Sequence, residues 1–110
     1  MVLMNATVIL AEHAHARAGD KGNILSIAVF PLDAAHYEWL RRELTAERVA
    51  EHFASRRPAR VRRHEIDSLK ALNFVLEDAL EGGVNRSPGL DRHGKSLSYL
   101  LLSMRLPAPG

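Results

Sequence analysis

A chain of 110 residues with 46% hydrophobic and 25% charged side chains has ordinary globular composition, which argues against a disordered chain and leaves room for one core but not two. It contains no cysteine, so disulfides and thiolate metal sites are excluded, and no apolar run approaches the roughly 20 residues needed to cross a bilayer. Formal net charge is only +2, yet Arg56, Arg57, Arg60, Arg62 and Arg63 crowd one short segment. The first residues, Met-Val-Leu-Met-Asn-Ala, lack the basic region and cleavage pattern of a signal peptide. The expectation is one cytoplasmic domain over residues 1–110, with no membrane association.

Residues 4 to 17 read as a strand. Met4, Ala6, Val8, Leu10, Ala14 and Ala16 share one parity and form a core face, interrupted by Glu12. Thr7, Ile9, Ala11, His13, His15 and Arg17 share the other. Gly19 and Gly22 bracket Asp20-Lys21, which suits a turn with positive φ at one or both glycines. From Ile24 to Phe30 both parities are apolar, the pattern of a central strand, so the two segments predict an antiparallel hairpin.

Pro31 ends that strand, Asp33 is a helix N-cap, and Leu32 with Tyr37 has the spacing of a hydrophobic staple. Thr45 is a second cap, so the spacing predicts a broken pair of helices over 34–43 and 46–54, with Tyr37, Leu40, Leu44, Val49 and Phe53 inward. Val61 to Ile66 reads as an edge strand, its middle being arginine and histidine. Leu69, Leu72, Leu76, Ala79 and Leu80 predict a helix over 69–80, with Asp67 or Ser68 as cap and Asn73 beside the stripe. Gly82-Gly83 stops it, and 84–95 form an irregular loop. Leu97, Leu100, Leu101 and Met104 match a closing helix, while Leu97, Tyr99 and Leu101 also fit a strand. The sum is an α+β fold: a small, mainly antiparallel sheet with helices packed on one face.

The chemistry gathers in His13-Ala-His-Ala-Arg-Ala-Gly-Asp-Lys-Gly-Asn23. Backbone amides around the glycines can form an anion-binding nest, to which Arg17 adds a bidentate fork and Lys21 a point charge. Asp20 can anchor either cation, and the same residues also suit a hairpin tip that holds no ligand. His13 and His15 share a face, but a metal would need Asp20, His64 or His93 as a third ligand, so neither metal nor cofactor is expected. A histidine here is also a candidate general base. Asn73, with Arg86 and Ser87, forms a second constellation that would complete a polar pocket or simply fasten the loop.

Four ordered segments carry a family likeness: Ala14-His-Ala-Arg-Ala-Gly-Asp-Lys-Gly-Asn23, Leu72-Asn-Phe-Val-Leu76, Gly82-Gly-Val-Asn-Arg-Ser87 and Leu90-Asp-Arg-His-Gly-Lys95. Together they resemble the small ferredoxin-fold domain of the acyclic terpene utilisation protein AtuA family, which occurs fused behind a larger AtuA-like domain or as a separate protein. The resemblance implies a ferredoxin-like α+β fold and association with AtuA-like proteins, linked to terpenoid and acyl-CoA catabolism. It supplies no catalytic residues. The chain departs from the family at Ala18, where serine is usual, at Asn85, where threonine is expected, and at Pro88-Gly89.

The residues expected to bind a ligand or partner are His15, Arg17, Asp20, Lys21, Asn23, Asn73 and Arg86. The reading they support is an accessory, non-catalytic unit of a larger AtuA-like protein, completing an acyl-CoA or carboxylate pocket and forming a homo-oligomer. The alternative is a small stand-alone enzyme with a histidine base and an Arg/Lys anion site. Phosphate or nucleic-acid binding through Arg56–Arg63 ranks last, since aromatic residues do not interleave with those arginines.

Overall fold

The computed structural model describes residues 6–21, 24–54, 60–77 and 97–109, without the side chains of Asp20 and Lys21. Its strands are β1 (Thr7–Ile9), β2 (Ala14–Lys21), β3 (Ile24–Pro31), β4 (Arg60–Ile66), β5 (Ala71–Glu77) and β6 (Arg105–Pro107). Its helices are α1 (Tyr37–Glu43), α2 (Ala46–His52) and α3, helical at residues 97–102. An antiparallel sheet of order β2-β3-β5-β4 forms the body, and β1 pairs with β6 in a separate two-stranded sheet. The fold is α+β and ferredoxin-like, as expected.

The alternation of side chains along the strands builds the core. Leu25, Ile27 and Val29 of β3 and Leu72, Phe74 and Leu76 of β5 are fully buried. The register sets Leu25 opposite Leu76, Ile27 opposite Phe74 and Val29 opposite Leu72. Over them pack Leu40 and Leu44 at α1, Val49 and Phe53 at α2, and Leu97 and Leu101 of α3, in one continuous cluster. All three helices lie against this face, and among the described residues none covers the opposite face of the sheet.

The helical pair forms where expected but shorter: Ala34–His36 is a 3-10 turn capped by Asp33 that leads into α1 at Tyr37, and α2, capped by Thr45, ends at His52. Asp33 Oδ1 accepts from the Ala35 amide at 2.9 Å and Thr45 Oγ1 from the Arg48 amide at 3.1 Å. The staple does not form, because Leu32 remains 61% exposed. Arg63, reaching from β4 to the helical side, donates to the carbonyls of Arg41 and Leu44 at 2.7 and 3.2 Å, satisfying groups at the end of α1 that have no partner within the helix.

Three expectations are corrected. Residues 4–17 are not one strand: a 3-10 turn at Leu10–Glu12 separates β1 from β2. Leu10 is drawn into the core there, its amide donating to the Met104 carbonyl at 2.8 Å. The segment around Gly19 is not a turn, since β2 runs on to Lys21, Gly19 pairs with Ser26 and Lys21 with Ile24. The segment expected as a helix over 69–80 is strand β5 from Ala71 to Glu77. Leu72 and Leu76 are four apart, a spacing that helix and strand periods both satisfy; Phe74, buried between them, decides for the strand. Asp67 therefore caps no α-helix but opens a 3-10 turn, closed by Lys70 in the left-handed region at φ 52°. The closing segment, open between two readings, is helical at 97–102. Arg56, Arg57, Gly82-Gly83 and the loop 84–95 lie outside the described residues.

Two measurements test this packing. Phe74→Ala removes a fully buried ring at the centre of the sheet and lowers unfolding free energy by about 3–5 kcal/mol in urea denaturation. Tyr37 is buried and its hydroxyl donates to Asp67 Oδ1 at 2.7 Å, so burial, then that hydrogen bond, pushes its pKa from 10.0 up to about 12. The folded state favours the protonated phenol. This contribution to stability is complete below pH 10 and disappears as pH rises through about 12, so an ultraviolet titration should show Tyr37 ionising two units late and losing that delay on unfolding.

Candidate functional site

The uncovered face of the sheet is assembled in rows by strand register. One row runs Arg17, Ala28, Asn73, His64 from β2 across to β4. The next runs Gly19, Ser26, Val75, Arg62. Lys21, Ile24, Glu77 and Arg60 are paired in the row beyond. Arg17 is exposed at one edge, while Arg60, Arg62 and His64 are exposed at the other. Strands about 4.8 Å apart place the two edges about 14 Å from one another. Between them lie small groups: Gly19 has open space where a Cβ would stand, and Ala28 and Ser26 contribute little relief.

Asn73 is the amide at the centre of this face. Its Oδ1 accepts from Ser26 Oγ at 3.2 Å, which leaves the amide N–H groups as its remaining donors. The floor at Ala28 has no side chain beyond Cβ to block approach to it. An anion resting there would find an amide beneath it, two strands from Arg17 on β2 and next to His64 on β4. Arg62 is engaged by Glu77 at 2.8 Å.

The expected site residues divide as follows. Arg17 and Asn73 share a row, although Asn73 is on a strand and not the expected helix. His15 lies one step along β2, exposed and stacked on Phe30 with ring centroids 5.0 Å apart. Asp20 and Lys21 belong to the end of β2, paired with Leu25 and Ile24. Asn23, Arg86 and Ser87 lie outside the described residues. His13 and His15 do not share a face: His13 follows the 3-10 turn, half-buried, with its ring centroid 5.6 Å from His36 and 5.5 Å from Trp39. Among the described residues no group of three or more His, Cys, Asp or Glu could hold a metal ion.

The arginine segment is also divided by the strand. Arg60 and Arg62 lie on the uncovered face, whereas Arg63 is turned to the helices and held by Glu65 at 2.7 Å. Sequence reasoning missed Ser26 and Ala28 on the uncovered face and named His64 only as a possible third metal ligand. His64 shares parity with Arg60 and Arg62, a signal present in the sequence, but its place beside Asn73 depends on the register of β4 against β5.

A second concavity of about 380 Å³ lies where α3 meets the edge strand β2, lined by Ala16, Arg17, Ala18, Ser98 and Tyr99. It places Arg17 between the sheet face and this cleft. Tyr99 on its rim is 69% exposed.

The model of the AtuA ferredoxin-like domain matches residues 8–107. The chain belongs to this family. No curated protein and no solved structure shows a match to it. The AtuA ferredoxin-like match spans every described strand except the first residue of β1. Among the described residues no helix is long and apolar enough to cross a membrane.

With Gly19 inside a strand, Gly19→Ala tests the corrected geometry. A Cβ meets nothing within 4 Å, so the variant should be stabilised by about 0.4–1 kcal/mol in a denaturant melt, through loss of unfolded-state freedom. A destabilisation above about 1 kcal/mol would return Gly19 to a turn with left-handed backbone.

Proposed function

We propose that residues 1–110 form one accessory, non-catalytic domain that associates with a larger AtuA-like protein in the cytoplasm and helps complete a pocket for an acyl-CoA or carboxylate. Its setting is the breakdown of terpenoid or acyl compounds. The observation that carries this reading is the row Arg17, Ala28, Asn73, His64 on the uncovered sheet face of an AtuA ferredoxin-like domain. A guanidinium, and an amide whose N–H groups have no partner among the described residues, suit a carboxylate or a phosphate of coenzyme A, both of which accept hydrogen bonds and carry negative charge. An open face supplies only one wall. The larger protein supplies the other, which is why an accessory role fits this geometry better than independent catalysis.

The test is calorimetric titration of the larger AtuA-like protein, alone and with this chain, using acetyl-CoA and short carboxylates. Adding the chain should tighten ligand binding, and Arg17→Ala/Lys21→Ala should remove most of that gain. Loss of charge-assisted hydrogen bonds worth about 1.5–3 kcal/mol each corresponds to a weakening of at least roughly tenfold. The double variant should melt like the wild type, because Arg17 is exposed and forms no ion pair among the described residues. Turnover of an acyl thioester by the purified chain alone would replace this reading with that of a stand-alone enzyme.

A further inference from the structure

We infer that the uncovered sheet face is the surface through which this domain docks, and that the surface it meets is a protein face rich in Asp and Glu set against Arg60, Arg62 and His64 of β4. The inference rests on the accessory role proposed above and adds the face used and the charge of what covers it.

The two sides of the molecule treat their arginines differently. On the helical side Arg41 is held by Glu38 at 2.6 Å and Glu65 at 3.4 Å, and Arg42 and Arg48 by Glu43 at 3.1 and 3.5 Å. Arg63 is held by Glu65 and by two carbonyls. On the sheet side Glu77 answers Arg62, while Arg17 and Arg60 have no ion pair among the described residues. Among the described residues the arginines of the helical side are neutralised by their own glutamates, and the sheet side holds unanswered positive charge at Arg17 and Arg60.

Relief and polarity on that face follow the layout of an interface. Ala28, Val75 and Ile24 supply a low apolar centre, with Ile24 45% exposed, and the arginines and His64 form a polar rim. A second copy using the same face would bring cationic rims together, a like-charge contact that costs affinity. Single-stranded nucleic acid would need aromatic platforms. Phe30, the aromatic ring of β3, is already stacked on His15 at an interplanar angle of 14°. The two cationic edges, about 14 Å apart, also exceed the span of one carboxylate and suit a broad acidic surface.

The experiment is direct binding between this chain and the purified larger AtuA-like protein of the same genome, at low and high salt. Wild type is compared with Arg60→Glu, with Arg60→Glu/Arg62→Glu, and with Arg42→Glu/Arg48→Glu on the helices as a control of equal charge change. Arg60→Glu leaves the Arg62–Glu77 pair in place but sets a second carboxylate opposite Glu77, so Arg60→Gln, which removes the charge without that repulsion and should melt as the wild type does, is run beside it and separates docking from folding. The inference expects wild-type affinity to fall with salt, Arg60→Glu to weaken it roughly tenfold or more, and the helical control to stay within about threefold. Wild-type binding that both sheet variants retain would overturn this docking face and leave the accessory role standing. No binding by the wild type would overturn both. Retention of single-stranded nucleic acid instead of protein, lost in Arg60→Glu, would also overturn it.

Discussion

Leu25, Ile27 and Val29 on one central strand meet Leu72, Phe74 and Leu76 on the next, and every other feature of the molecule depends on that cross-strand pairing. Strand geometry sends alternate residues to opposite faces, so a shift of one position would exchange the buried leucines for Asn73 and Val75. With the register set, one face must be covered, and α1, α2 and α3 cover it. The other face receives what the core rejects. In this chain those positions are arginines, histidines, an amide, a serine and an alanine, brought into rows by the same register that builds the core.

Polar groups then tie the helical layer to the sheet. Arg63 closes the carbonyl end of α1, and Tyr37 joins that helix to the turn before β5 through Asp67. Trp39 donates from Nε1 to the Pro107 carbonyl at 2.8 Å, fastening α1 to β6. His52 Nε2 lies 2.8 Å from the Leu100 carbonyl and joins α2 to α3. These contacts lie on the helical side. Among the described residues the sheet face carries no such links apart from Ser26–Asn73 and Arg62–Glu77, so its groups can be engaged by another molecule without first breaking the fold.

Legibility in the sequence followed the range of the interactions. Asp33 caps the 3-10 turn that leads into α1, and Thr45 caps α2, by bonds to amides two and three residues away, so this helical stretch was readable from local pattern. The apolar run of β3 and the arginine-rich pattern of β4 likewise betrayed a central and an edge strand. The segment 71–77 misled because Leu72 and Leu76 fit two periods at once, and only their non-local partners on β3 separate them. The break at Leu10–Glu12 has the same origin: Leu10 is bound by the Met104 carbonyl, a partner 94 positions away by subtraction of their numbers.

The candidate site divides along the same line. By itself the sequence determined the residue types, the hairpin of β2 and β3 and the family likeness, and it named Arg17 and Asn73 as candidates for a polar site, because these rest on composition, parity and motif. Tertiary structure alone decided that Asn73 stands on a strand between Arg17 and His64, that Gly19 is not a turn residue, and that Arg62 and Arg63 face opposite ways. Register is a relation between strands distant in the chain, set by burying one face. No local pattern in either strand contains it.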